Sequence, residues 1–419
     1  MGFGITFYFN LFKLYMQENR EYQDRVYKES VSKIEQFILK SGFKLKQVIF
    51  ISDQKIWKKN QNFFDKNLIK KFYNILLLKN PSATERFCNV IISKSKKAKL
   101  IIALGSGTIN DLCKYSASVL NIPYIIIPSA SSMNGYLSQN ASIEINGHKK
   151  TILAKMPFLV YLDLLIIKKA PLRLNKSGIG DLMCFYCCWF DWYMAHKIFN
   201  GNFNKIPFQI LEKKMQEFCN NYHNYKLKDK VFLELLMDIL LLSGYGMTIA
   251  GGSYPASQSE HLIAHCLTMK YPKKISKIFH GEIIAISTIN SLQFQQKILN
   301  LLKKRKLFFD QEKFDFKKIC QFFNKEVAYE CKNEYVLKFF NQNQVNEINR
   351  YIIKNSKSFY NELSKIFFSE DKIKKIFSHF KIDYSVKHLG ISENQYLDCI
   401  KYSKFIRNRL TCLDFFKND

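Results

Sequence analysis

Three apolar runs most constrain what this chain can become. Val48-Ile-Phe-Ile-Ser-Asp53, Leu100-Ile-Ile-Ala-Leu104 and Tyr124-Ile-Ile-Ile-Pro128 are short, nearly continuous hydrophobic stretches of strand length. They do not alternate with polar residues, so neither face of such a strand tolerates water. Strands of this kind belong in a parallel sheet covered on both sides. The intervening segments fit that arrangement. Residues 26–41 space Val26, Val31, Ile34, Phe37 and Ile38 as a helix does, residues 66–79 read as another helix, and Val90-Ile-Ile-Ser93 reads as a further short strand. Strands alternating with helices define an α/β domain. Past residue 170 only helical patterns remain, at 178–199, 208–221, 229–250, 257–269, 281–303, 315–325, 343–367, 370–379 and 394–408. The expectation is an α/β domain over residues 1–170 and an all-helical domain over 171–419, joined near Lys168-Lys-Ala-Pro171.

Composition narrows the functional classes. The chain has 419 residues, 47% of them apolar and 15% aromatic, enough to fill two cores and unlike a disordered polymer. Its net charge of +29 suggests a polyanionic partner, yet only eight of the 64 cations are Arg. Arg is the preferred reader of phosphate forks and base edges, so a Lys excess of this kind reads as compositional background. The partner expected is a small anionic substrate, with no nucleic acid. No uninterrupted run of eighteen apolar residues occurs, so no transmembrane segment is expected. Eleven cysteines without a regular framework read as buried thiols in a reducing compartment, and a cytoplasmic location follows. The N-terminus matches the loose myristoylation pattern through Gly2 and Thr6, but is read as a strand or helix packing on the body.

Two polar turns follow the predicted strands. Gly105-Ser-Gly-Thr-Ile-Asn-Asp111 lies between a strand and a helix, where glycines admit a pyrophosphate to the backbone and the helix start offers free amides. It matches neither the Walker Lys-Ser/Thr spacing nor the full GxGxxG, so a turn that needs glycine for geometry alone also accounts for it. The next strand ends in Pro128-Ser-Ala-Ser-Ser-Met-Asn-Gly-Tyr-Leu-Ser138, a polar lip where parallel sheets bind ligands.

Further along, Ser177-Gly-Ile-Gly-Asp181 places a carboxylate at a helix, and Glu260-His261-Leu-Ile-Ala-His265 sets two histidines on one helical face. Phe279-His280-Gly281 adds a third. One Asp with two or three His suits a divalent ion with an open position, and the donor set is more zinc-like than magnesium-like.

These ordered motifs, with Asp191-Trp192 and Pro255-Ala-Ser-Gln-Ser-Glu-His261, resemble the sn-glycerol-1-phosphate dehydrogenase family of the iron-alcohol-dehydrogenase / dehydroquinate-synthase-like superfamily, over roughly residues 45–290. The resemblance implies a Rossmann-like domain, a helical domain and an active site in the cleft between them. It implies NAD or NADP, with Gly105, Ser106, Gly107, Thr108, Ile109, Asn110 and Asp111 under the pyrophosphate. Ser129, Ser132 and Ser138 then lie near the cofactor, and Asp53 near its ribose. It also implies one divalent metal on Asp181, His261 and His280, zinc ahead of nickel or iron, with His265 beside the substrate.

The activity implied is reduction of dihydroxyacetone phosphate to sn-glycerol 1-phosphate for phospholipid synthesis, by a homo-oligomer. Three departures from the family pattern involve four positions. Asn134 stands where the family has a substrate-touching Asp, Tyr254 and Gln258 replace an Arg and a Gly, and Phe185 replaces a Lys. These leave two alternatives open: another enzyme of the superfamily, such as a polyol dehydrogenase or a cyclising synthase, and a non-catalytic basic binding protein.

Overall fold

The computed structural model describes residues 21–145 and 148–416; the N-terminal readings at Gly2 and Thr6 lie outside the described residues. The chain divides into two compact units, one of residues 1–178 with 209–252, the other of 179–208 with 253–419. This partition departs from the single division expected at residue 170, because the segment 209–252 groups with the sheet.

In the first unit, six parallel strands form one sheet: β1 (Val26–Lys28), β2 (Val48–Asp53), β3 (Asn74–Leu78), β4 (Leu100–Gly105), β5 (Tyr124–Pro128) and, after the antiparallel hairpin of β6 (Asn140–Ile145) and β7 (His148–Leu153), β8 (Leu159–Leu162). The sheet order is β1-β8-β5-β4-β2-β3. From β2 the chain steps outward to β3, then returns across β2 to β4 and proceeds the other way. The carboxyl ends of β2 and β4 therefore flank a topological switch point, the place where open parallel sheets take ligands. Register puts Ser52 beside Leu104 and Gly105 beside Pro128, so Asp53, Gly105 and Ser129 leave the sheet at one edge.

Helices α1 (Ile34–Lys40), α2 (Gln54–Asn60), α3 (Lys66–Lys70), α4 (Glu85–Ser95), α5 (Gly107–Leu120) and α6 (Leu164–Lys168) accompany the sheet. Its core holds Val48, Phe50, Leu100, Ile102, Leu104, Ile125, Ile127 and Tyr161 against Val31, Ile34, Ile38 and Leu68.

Three readings are corrected here. Residues 90–93 lie within α4, which buries Cys88, Ile91 and Ser95 along one helical face. Residues 66–79 split into α3 and strand β3, and residues 26–41 into β1 and α1. A short apolar run or a merged window does not reveal its period.

Next come α7 (Leu172–Leu182), α8 (Cys184–Phe199), α9 (Ile206–Asn221) and α10 (Lys230–Ile249), so the single helix read over 178–199 is two, separated at Met183. Helix α10 has the length and mean apolarity to cross a bilayer, although Glu234 and Asp238 interrupt its apolar run as the sequence reading required. Most of α10 is buried, and its Asp238 pairs with Lys28 at 2.8 Å and Lys214 at 3.1 Å. Those are the properties of a core helix.

The second unit continues with α11 (Ser259–Lys270), α12 (Pro272–Ile275), α13 (His280–Lys303), α14 (Phe316–Phe322), α15 (Lys325–Val336), α16 (Gln342–Ile366), α17 (Glu370–His379) and α18 (Glu393–Ser403). Helix α11 packs on α13 and α18, while α16 packs on α8 and α13. Cys188, Phe190, Leu262, Ile263, Ile284, Leu299, Ile352 and Phe359 fill the space between them. All eleven cysteines are free thiols, nine of them buried.

Candidate active site

The first unit carries the turn between β4 and α5. Helix α5 opens directly after β4, and Ser106 at its N-cap makes no side-chain cap bond, so the early amides are not closed off by that hydroxyl. No acidic residue lies in this first turn, which leaves the positive end of the helix dipole uncompensated. A Cβ on Gly105 would lie 2.4 Å from Ile109 Cβ, so glycine is what permits the helix to start so close to the strand.

Within the predicted cofactor set, the side chains of Ile109 and Asn110 are buried. Asn110 Nδ2 donates to Asp111 Oδ1 at 3.2 Å, and Asp111 Oδ2 accepts from Ser142 N at 3.3 Å. What these positions offer a ligand is their backbone.

The serine lip is tied to this turn by Ser129 N donating to Gly105 O at 2.9 Å. Ser132 Oγ lies 3.5 Å from the Tyr136 hydroxyl, and its carbonyl accepts from Ser177 Oγ at 3.2 Å. Ser138 turns inward. Its hydroxyl accepts from Lys114 Nζ at 3.1 Å, and Lys114 also donates to Gly135 O at 2.8 Å and Asn140 O at 3.0 Å. Burial pulls this ammonium down to about 8, against the raising effect of Asp111. Lys114 therefore fastens the lip from beneath, a role its presence among so many lysines did not announce. Asp53 caps α2, accepting from Lys55 N at 2.6 Å and Ile56 N at 3.1 Å through one oxygen. Asn134 belongs to the same lip and is buried, its carbonyl against Gly244 of α10.

The second unit supplies the candidate metal centre. His261 Nε2 and His280 Nε2 are 3.3 Å apart, and each lies 3.7 Å from Asp181 Oδ1. Ligands about 2.0–2.1 Å from a tetrahedral ion stand about 3.3–3.4 Å from one another, so these three atoms fit around one ion. Asp181 is fully buried and His261 nearly so, while the His280 side chain is 39% exposed and marks the open side. The close approach of α7 to the start of α13 rests on Gly180, where a Cβ would stand 2.1 Å from Gly281 O. His265 lies one turn along α11, its ring 5.9 Å from His261 and 6.1 Å from His280.

Glu260 completes the arrangement. Its Oε1 accepts from His261 Nδ1 at 2.7 Å, Gln258 N at 2.9 Å and Cys188 Sγ at 3.2 Å. Burial alone would raise this carboxyl, but the His261 imidazole, the Gln258 amide and the Cys188 thiol outweigh it and hold it below its ordinary value. With Nδ1–H given to Glu260, the Nε2 lone pair of His261 faces Asp181 and His280, the tautomer a metal requires.

Cys184, Glu260 and His261 form an overlapping donor set. The Cys184 thiol is a poor candidate. The hydrogen bond with Cys188 lowers it, yet burial with Glu260 and Asp181 prevails and pushes it up to about 11.

Asp191 anchors the helix that carries His261. It accepts from Ser259 N at 3.2 Å, Gln295 Nε2 at 2.9 Å and Cys412 N at 3.2 Å, and burial pushes it up to about 6.

The sheet with its switch-point turn, and the helical unit with its Asp-His-His cluster, define a two-unit dehydrogenase-type fold. The profile of the iron-containing alcohol dehydrogenase family matches residues 25–171. It is similar, at 30% identity over 227 residues, to a glycerol-1-phosphate dehydrogenase [NAD(P)+] of Geobacillus stearothermophilus, a stretch covering 53% of this chain and 56% of the relative. The protein of that name from Sulfolobus acidocaldarius is 31% identical over 237 residues, 55% of this chain and 66% of the relative. The matched stretch thus spans little more than half of the first relative's length. Among solved structures, a probable glycerol dehydrogenase from Sinorhizobium meliloti 1021 shares the fold, with TM-score 0.59 at 14% identity over 94% of this chain and 92% of that one.

Proposed function

We propose that the chain is a metal-dependent, NAD(P)H-linked reductase of dihydroxyacetone phosphate, forming sn-glycerol 1-phosphate. The observation that carries this reading is the Asp181–His261–His280 cluster with Glu260 behind it. Three protein donors leave a fourth position open, as reactive rather than structural zinc-type sites do. The relatives, glycerol-1-phosphate dehydrogenases [NAD(P)+] by name, support the substrate and the cofactor class.

Asp181, His261 and His280 would hold the ion, with zinc the best match to the donor set and nickel or iron the alternatives. When bound, such an ion supplies positive charge to a carbonyl oxygen, and a reduced nicotinamide supplies the hydride. The chain's own residues do the rest. The amides at the start of α5, with Ser129 and Ser132 of the lip, would hold the cofactor's phosphates, and Asp53 would face its ribose. Glu260 keeps His261 in the ligating tautomer. His265 stands beside the three ligands and can hand a proton from its imidazole to the product oxygen. Asn134 contributes an amide where the resembling family has a carboxylate. It can fix a hydroxyl by hydrogen bonding but cannot take its proton.

The test is elemental analysis followed by turnover of dihydroxyacetone phosphate with NADH and with NADPH. Metal-loaded protein should oxidise one or both cofactors, and His261→Ala should abolish the rate. Metal-loaded protein that leaves both cofactors unoxidised refutes the reading.

A further inference from the structure

Arg409 lies in the segment after α18 and is 9% exposed. Its guanidinium rests on the Tyr254 ring, 4.7 Å from the centroid, and Tyr254 in turn stacks on Trp192 at 5.4 Å and 19°. Nη2 donates to Ser253 Oγ at 2.7 Å, and Nη1 donates to Ser257 O. Both partners are neutral. Among the described residues no carboxylate lies within ion-pair reach of Arg409, so a buried full charge has two uncharged acceptors for its five N–H donors. Its charged surroundings are Arg407, which repels it, and Glu260 at longer range. Burial first, and then Arg407, pull it down to about 10.

The position is held in place. Lys338 Nζ donates to Arg409 O at 3.0 Å, to Lys404 O at 2.7 Å and to Asp414 Oδ1 at 2.7 Å. Three residues on, Cys412 N is bound to Asp191. An uncompensated guanidinium fixed beside the start of α11 is matched to an anion that arrives with the ligand. Ser257, which takes one of its bonds, lies in extended backbone just before α11, and the next residue, Gln258, gives its amide to Glu260, the carboxylate that holds His261. In a triose phosphate the phosphorus lies on the order of 4 Å from the reacting carbonyl carbon, by ordinary bond lengths.

We propose that Arg409 binds the phosphate of a phosphorylated ketone whose carbonyl sits at the Asp181–His261–His280 centre, with Tyr254 as the platform that orients the guanidinium. Assignment of that phosphate to the substrate rests on the reductase reading above; the anion site itself does not. Arg is suited to this task, because its planar fork meets phosphate oxygens two at a time.

The experiment has two arms on the full-length, metal-loaded chain, with wild type, Arg409→Gln and Arg409→Lys. In the first, inorganic phosphate is titrated while the melting temperature is followed. Wild type should be stabilised, Arg409→Gln should not, and Arg409→Lys should respond at higher phosphate concentration. In the second, KM is measured for dihydroxyacetone phosphate and for unphosphorylated dihydroxyacetone. Arg409→Gln should raise the first on the order of 100-fold and change the second less than twofold. Should the Gln variant fail to fold, Arg409→Lys carries the test, with about a tenfold rise confined to the phosphorylated ketone.

Phosphate stabilisation of Arg409→Gln equal to wild type, or equal losses with both ketones, overturns the proposal, the latter by showing that Arg409 only staples the 253–257 loop. Arg409-dependent phosphate binding without turnover of either ketone leaves the anion site standing and removes the reductase reading. Turnover with an unchanged KM in Arg409→Gln does the reverse.

Discussion

Replacing Glu260 by glutamine tests whether the histidine behind the candidate metal is electrostatically tuned or merely packed. Glutamine keeps one carbonyl oxygen, so donation from His261 Nδ1, now at 2.7 Å to a carboxylate, can persist. What disappears is the charge. A charge-assisted hydrogen bond contributes about 1.5–3 kcal/mol and a neutral one about 0.5–1.5 kcal/mol, so the variant should lose about 1–2 kcal/mol of metal binding. That is about a tenfold weaker affinity, the lower end of the 10–100-fold range for partners of metal-bound histidine. The measurement is a competition titration of metal-free protein with zinc against a chelating dye. Denaturant unfolding of the metal-free variants would confirm that each retains its fold. The reasoning fails if Glu260→Gln binds zinc within twofold of wild type while His261→Ala has lost it.

Gly180→Ala drives a methyl into Gly281 O, which a Cβ would approach to 2.1 Å, and so should part α7 from α13 and carry Asp181 away from His280. The expected result is a folded helical chain with metal affinity reduced at least tenfold, checked by zinc titration beside circular dichroism. Lys114→Met should alter the pH dependence of stability in a defined direction. The folded ammonium sits at about 8, below its ordinary unfolded value, so between that point and pH ~10.4 the unfolded chain binds the extra proton. Wild-type stability therefore rises with pH across this window, by roughly 3 kcal/mol in all, and the gain is lost as pH falls through about 8. The methionine variant should lack that rise in urea titrations at several pH values from 7.5 upward.

Strands β2, β4 and β5 were legible because a strand buried on both faces has no polar positions to confuse its length. Strand β8 was missed, since Leu159–Leu162 is too short to stand out. Residues 90–93 misled for a related reason: three adjacent apolar residues satisfy strand and helix alike, and only the wider spacing of Cys88, Ile91 and Ser95 separates them. The three histidines at the candidate site, His261, His265 and His280, were easy to see, because histidine is scarce in this chain and they fall within twenty residues. Glu260, Lys114 and Arg409 were harder. Each belongs to a residue type that ordinarily lies in solvent, and its role comes from burial, which composition does not record. Lys114 was hidden further by being one cation among 64.

The discontinuity of the first unit has a consequence for synthesis. Its last strand ends at Leu162, but α10, which packs on α6 and belongs to the same unit, begins only at Lys230. At ribosomal speeds of about 5–20 residues per second, several seconds separate the two. During that interval the sheet has left the ribosome while the apolar helix that belongs against it is still being made. An excised sheet fragment ending near residue 171 would carry the same exposed surface permanently, whereas one that also includes residues 209–252 would cover it.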